Sequence, residues 1–386
     1  MSLVPHHFHY FSHHINREVK EVYWQAFFAN LAISIAYIFE PIYLFSQGVA
    51  PTGILLFYGQ VYFWYAILIF PVAKITTRIG YKHSIAVANV IYVFYWLTLF
   101  LIPKFFLLLY IAPILFSLQK SFFWPAFDSD IAINSEKGQR GREVGALFSL
   151  IEGTVVLGPL IGGLLSFKLG YGFLFVVSSL LMLISIYPLF KSPEIYTKHE
   201  FRFKNFLNVF RRYKWNFLGY FGYAEDLMIM TLWPIAVFMI AKNSLSTGLL
   251  TMFASGVAIV LMLMIGKASD ETPKPALIKL SAFAYAISWI FRFLATTVPT
   301  VLGFDVVTRT SKGTLNVPMI SLTYELAGLR GPDHAIAYSV FYEFSLSIGK
   351  IITALLGILI LSYTGNMYYV FILAGFLTLF YGLLRK

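Results

Sequence analysis

Long apolar runs alternate with short polar breaks along the whole chain. Twelve such runs can be marked, at residues 22–45, 52–75, 84–102, 104–127, 143–167, 170–190, 215–241, 245–268, 276–297, 299–323, 335–362 and 367–384. Each is long enough to cross a bilayer as a helix. The pattern predicts an all-α membrane protein with twelve transmembrane helices.

The polar breaks carry unequal charge. Arg17 and Lys20, then Lys74, Arg78 and Lys82, then Lys137, Arg140 and Arg142 fall in alternate breaks. So do the seven bases from Lys191 to Lys214, then Lys267, Lys274 and Lys279, then Arg330, and last Arg385 and Lys386. The intervening breaks hold only Lys104, Lys168 and Lys242. Cytoplasmic loops are the ones enriched in Lys and Arg, so both termini are expected in the cytoplasm, with the chain in the cell membrane as a multi-pass protein.

Composition narrows the class further. With 59% hydrophobic and 12% charged residues, and a mean hydropathy of +0.74, a chain of 386 residues cannot cover a soluble surface. The net charge of +11 reads as loop charge facing anionic lipid, not as a nucleic-acid footprint. Cysteine is absent, which excludes disulfides and thiolate metal sites. The N-terminal His6, His7, His9, His13 and His14 have no acidic or Cys ligands beside them, so an interfacial tail is expected there rather than a metal site. No cleavable signal is expected before the first apolar run. No cofactor is implied. Ser347-Ile-Gly349-Lys350 lacks the upstream glycine of a phosphate-cradling loop, and no His-Glu-x-x-His is present. No polar stretch is long enough for a catalytic domain, so an enzyme is not expected.

The chain repeats itself. Pro41-Ile returns as Pro234-Ile, Ala73 as Gly266 and Pro125 as Pro318, each 193 residues later. Glu152 matches Glu343 and Gly158 matches Gly349 at an offset of 191. The expected organisation is a tail (1–21), a six-helix bundle (22–190), a basic linker (191–214) and a second, pseudo-symmetric six-helix bundle (215–386).

Several motifs sit on this frame. The fifth run contains Gly153, Gly158, Pro159, Gly162 and Gly163: small residues for close helix approach, and a proline that tends to bend a helix. The break after the second run reads Ala73-Lys-Ile-Thr-Thr77-Arg78-Ile-Gly80-Tyr-Lys82, and its counterpart Gly266-Lys-Ala-Ser-Asp270. Trp124-Pro125-Ala126 and Arg140-Gly141-Arg142 follow. Together these resemble the major facilitator superfamily of secondary transporters, in particular its drug/proton antiporter-like exporters. The resemblance implies a central cavity lined by helices 1, 4, 7 and 10, opened alternately to each side. It also implies that Arg78, Gly80, Asp270, Arg140, Arg142, Gly158 and Pro159 serve gating. The family's loop carboxylate is replaced by Thr77, so Asp270 (or Glu271) near Arg140 and Arg142 is left as one inner latch instead of two, and the cytoplasmic side is expected to open easily.

Charges inside apolar runs are costly and mark candidate function. Asp305, Arg309 and Lys312, at i, i+4 and i+7, share one face of helix 10, and Asp305 can pair with Arg309. Glu343 and Lys350 share a face of helix 11. Glu152, Glu343, Asp226 and Glu40 are the candidates for carrying a proton; Gln119, Lys120, Trp124, Glu225, Arg309 and Lys312 are the candidates for holding a small-molecule substrate. Arg292 is expected to snorkel, and Tyr58, Tyr62 and Tyr65 to belong to the core. The function expected is proton-coupled efflux of small organic or drug-like molecules by a monomer in the lipid bilayer. The alternatives are uptake of a polar or anionic solute and a transport-inactive sensor or scaffold, the last favoured by a cavity whose charges all pair off.

Overall fold

A computed structural model of the chain describes residues 17–134, 140–191, 200–269 and 274–385. The N-terminal histidines, Asp270, Glu271 and the side chains of Arg140 and Arg142 lie outside the described residues, and with them the expected latch.

Every regular element described is helical. The first half contains α1 (Arg17–Ala36), α2 (Phe39–Ser46), α3 (Pro51–Ile79), α4 (Tyr81–Leu101), α5 (Leu108–Asn134), α6 (Arg140–Leu169) and α7 (Tyr171–Ile184). A linker helix, α8 (Phe203–Arg212), leads to α9 (Lys214–Gly219), α10 (Asp226–Met230), α11 (Leu232–Ala241), α12 (Ser244–Ser269), α13 (Lys274–Ile290), α14 (Val298–Ala327), α15 (Pro332–Thr364) and α16 (Tyr368–Thr378). Among the described residues nine stretches are long and apolar enough to cross a membrane. The other three expected runs are helical too. Lys120, Asp128 and Asp130 lower the hydropathy of α5, and Asp305, Arg309, Lys312 and Glu325 that of α14; α16 with its 3-10 continuation, Tyr368–Leu383, is short.

Two prolines explain the broken first and seventh spans. Proline lacks an N–H and clashes with the carbonyl four residues back. For Pro41 that residue is Tyr37, where α1 gives way to α2. For Pro234 it is Met230, after which Thr231 leaves helical geometry at φ −126 and ψ −83. The sequence repeat is thus a structural repeat. Pro71, Pro113, Pro125, Pro159 and Pro318 lie within continuous helices.

Packing sorts the spans into two bundles joined through two main seams, α6 on α12 and α3 on α15. The glycines of α6 divide between partners. A Cβ at Gly158 or Gly162 would collide with Ser34, Ile35 or Phe39 of the first span, and one at Gly163 with Ser244 of α12. Gly153, expected in the same role, faces open space. In the second half Gly349 packs on Phe221 and Ala224 of the seventh span, as Gly158 packs on the first. Gly80, between α3 and α4, has φ 93, which side-chain-bearing residues rarely adopt, so the turn there depends on glycine.

The linker is more than a tether. Phe203, Phe206 and Phe210 repeat at helical spacing along α8. Phe201 and Phe206 are buried against Phe70 of α3 and Phe344 of α15, with ring centroids 6.5 and 5.0 Å from Phe70 and, for Phe206, 5.6 Å from Phe344. The Glu200 N–H donates to Asp333 (2.9 Å) and the Phe201 N–H to Thr77 (3.5 Å). Thr77, standing where the resemblance implies a carboxylate, is therefore buried under the linker.

Candidate functional site

Between the bundles lie two cavities, of about 190 and 220 Å³, that share Val155, Ile229 and Arg309. The first is largely apolar, with Ile33, Tyr37, Trp233 and Val237 in its wall. The second is charged, lined by Glu152, Asp226, Asp305, Arg309 and Lys312. The i, i+4, i+7 spacing places the last three on one face of α14, turned towards α6 and α10.

Asp305 is held from three sides. Arg309 Nε donates to it at 2.9 Å, Arg292 Nη2 at 3.3 Å and Trp233 Nε1 at 3.0 Å. Contrary to the expectation from its place near the helix end, Arg292 does not snorkel. It is fully buried, its guanidinium 3.6 Å from the Trp233 ring and 4.0 Å from that of Trp289. Two indole faces and a carboxylate offer more than the bilayer interface can.

A second network joins Lys312, Asp226 and Lys350. Lys312 donates to Asp226 and lies 3.5 Å from Glu225; Lys350 reaches the other Asp226 oxygen at 2.8 Å. Asp226 thus faces the cavity with both oxygens engaged. Glu225, expected at the substrate, is fully buried and turned towards Tyr381, which donates to it at 3.3 Å. Neighbouring helix residues point about 100° apart, so only one of the pair reaches the cavity.

Beside a Ser129–Ser339 hydroxyl contact, tyrosines carry the polar contacts across the second seam. Tyr65 of α3 donates to Glu343 of α15 (3.0 Å), while Tyr324 of α14 donates to Asp128 of α5 (2.9 Å). Each bundle's carboxylate is held by the other bundle's phenol. Lys350 donates to the Tyr62 hydroxyl at 3.0 Å. Tyr62 and Tyr65 are therefore interface residues, not inert core. Asp128 lies one residue beyond the apolar run that ends at 127, but within α5, which continues to Asn134.

The remaining candidates separate. Glu40 is sealed within the first bundle, accepting from Trp96 (2.8 Å), Tyr95 (2.9 Å) and Tyr58 (3.3 Å). Gln119 is buried, Lys120 lies 4.6 Å from the Phe116 ring, and Trp124 packs on Phe123; none lines these two cavities. Among the described residues Lys120 makes no ion pair. Arg78 is exposed in the last turn of α3. Pro159 lines the apolar cavity. Glu152, alone among the cavity acids, has no ion pair or hydrogen bond among the described residues. Among them, too, no cluster of His, Cys, Asp and Glu suits a metal ion.

Known proteins share this architecture. The human organic anion transporter MFSD10 (TETRAN) aligns over 95% of this chain and 99% of its own, with a TM-score of 0.65 and 14% identity. The Escherichia coli fucose:proton symporter FucP aligns over 95% and 98%, with a TM-score of 0.68 and 9% identity. A search of curated proteins returns no match. At such identities the likeness concerns the fold. The sequence model of the Major Facilitator Superfamily matches residues 22–331, most of the chain, and the protein belongs to that superfamily.

Proposed function

We propose that the protein is a proton-coupled secondary transporter of a small organic solute, with Glu152 as the coupling carboxylate. One observation carries the reading: Glu152 opens into a cavity shared by both bundles, which it lines with Arg309 and Lys312, yet it is not tied to either. A carboxylate locked in a salt bridge stays ionised through a cycle; one left free beside cations can release its proton on one side and regain it on the other. The scaffold alternative calls for charges that all pair off, and Glu152 does not. Glu343 and Asp128, held across the seam by Tyr65 and Tyr324, are suited to report the opening of that seam. Asp226, held by two lysines, is suited to structure.

The basic breaks lie at the linker end, so that end faces the cytoplasm and both termini with it, in a cell membrane. The bundles then divide at the linker, 191–214, and work as a monomer without enzymatic activity, nucleic acid or cofactor. The glycine-proline series of α6 supports efflux, and so exchange of solute for protons. The alternative, carriage of an anionic solute, is favoured by the cationic wall of the cavity.

The test uses purified protein in liposomes with a trapped pH dye. Lipophilic cations, sugars and carboxylates are added across an imposed pH gradient. Solute-dependent proton movement in the wild type, abolished by Glu152→Gln with solute binding retained, is the expected result. Uphill transport by Glu152→Gln equal to wild type at every pH removes Glu152 from the coupling role.

A further inference from the structure

The charged groups around the cavity are unequally satisfied, and the inequality identifies a ligand. Lys312 and Lys350 share Asp226, with Glu225 beside Lys312, so these four charges cancel. Arg292 and Arg309 share the single carboxylate of Asp305, which leaves one positive charge over. Of the two, Arg292 is fully enclosed and Arg309 is the one a ligand can reach. Its only side-chain bond among the described residues is from Nε to Asp305, and its side chain, 22% exposed, lines the cavity. Among the described residues both of its terminal nitrogens are without a partner. Nε fixes the plane of the guanidinium, and the remaining N–H groups present a fork.

Three further residues lining the same cavity carry buried polar atoms without a partner among the described residues. They are the Ser255 hydroxyl, on a residue 2% exposed, Nε and Nη1 of Arg292, whose guanidinium lies over the Trp233 and Trp289 rings, and the Asn316 carbonyl oxygen. A buried donor without a partner carries an unrecovered desolvation cost; an anion can recover it at the Ser255 hydroxyl, whereas the Asn316 oxygen, an acceptor, gains nothing from one. Arg309 also lines the adjoining apolar cavity, whose wall includes Tyr37 and Trp233. A cationic fork therefore stands where a polar chamber meets an apolar one.

We propose that this is the site for an organic monoanion, a carboxylate or sulfonate on a small apolar body. Its oxygens bind the free nitrogens of Arg309 and accept from Ser255, and its body lies against Tyr37 and Trp233. A planar guanidinium matches a two-oxygen anion in a way that no lysine here does. Glu152 lines the same chamber and opposes an anion there. With Glu152 ionised, the charges of Glu152, Arg309, Asp305, Arg292, Asp226, Glu225, Lys312 and Lys350 sum to zero. Without that charge the site holds one positive charge, matching one monoanion. The substrate class rests on the carrier reading above; the binding site does not.

The test is direct binding to the purified full-length protein, using benzoate, hexanoate and hexanesulfonate against benzamide, hexanamide and hexylammonium. The anions are expected to bind about tenfold or more tighter than their neutral or cationic counterparts, since hydrogen bonds to charged groups are the strong ones. Arg309→Gln should abolish the preference. It leaves Asp305 with Arg292 and Trp233, and Arg309→Lys, which keeps the charge without the fork, serves as a second variant and should retain only part of the preference. Glu152→Gln should tighten anion binding. Equal affinity for benzoate and benzamide overturns the assignment, as does undiminished preference in folded Arg309→Gln, or no binding of any of the anions. Anion-selective binding without movement into liposomes keeps the site and removes the carrier reading. Uphill transport without charge preference keeps the carrier and removes the site.

Discussion

Gly163→Ala tests whether the α6–α12 seam is a closed gate. A Cβ at this position would stand 2.7 Å from the Ser244 carbonyl oxygen and 3.2 Å from the Gly248 Cα. Even a close C–H···O contact needs about 3.3–3.6 Å between carbon and oxygen. The helices must therefore separate by roughly half an ångström or more, and because both obstacles are backbone atoms no rotamer change can relieve them. Overpacking of this kind costs about 1–3 kcal/mol. Here the cost falls on one conformation alone, because the contact is lost when the bundles part at this seam. A coupling of that size moves a two-state equilibrium by roughly 5- to 150-fold. The absence of cysteine makes the assay simple: Lys168→Cys and Lys242→Cys, near the two sides of this seam, accept spin labels with no background. Distance distributions in detergent or nanodiscs should shift towards longer separations in Gly163→Ala. Unchanged distributions in folded protein would refute the seam as a conformation-specific contact.

Tyr65→Phe removes the only hydrogen bond described for the Glu343 carboxylate, at a cost of about 1–3 kcal/mol for the stranded group. Alkylation of a Ser129→Cys reporter, beside Ser339 on the same seam, should speed up; an unaltered rate counts against Tyr65 holding the bundles together. Phe206→Ala empties a buried aromatic site at the linker and should lower stability by about 3–5 kcal/mol. Denaturant titration of the purified protein checks it, and a loss under about 1 kcal/mol would mean that α8 is only loosely docked. Arg292→Met leaves Asp305 paired with Arg309 and Trp233, so no carboxylate is stranded; what is lost is the stacking of the guanidinium on Trp233 and Trp289, about 2 kcal/mol when desolvated, and a modest fall in thermal stability is expected. A melting temperature equal to wild type would show that the pair adds nothing net.

Much of the fold was legible because its causes are local. Pro41 and Pro234 mark the helix breaks through their own chemistry, and the 193-residue offset pairs them. The pairing of Asp305 with Arg309 follows from spacing along one helix. What was not legible depends on partners distant in sequence. Nothing near Arg292 in the chain announces Trp233. Nothing near Tyr65 announces Glu343, 278 residues away. Asp128 was lost for a different reason: a hydropathy window ends a helix where polar residues begin, although a helix buried between others can continue through them. The aromatic spacing of α8 was visible in the sequence, but its basic residues drew attention to charge instead of to the ring face.

The aromatic seat of α8 has a thermal consequence. Any opening between α3 and α15 must draw Phe201 and Phe206 away from Phe70 and Phe344, handing ring surface from a packed interior to water or lipid headgroups. Hydrating apolar surface raises heat capacity, so the free energy of this opening is a curved function of temperature. The linker end is then held most firmly at an intermediate temperature and yields towards both heat and cold. A van't Hoff plot of the opening equilibrium is expected to bend accordingly, and shortening the exposed ring surface at Phe206 should flatten it.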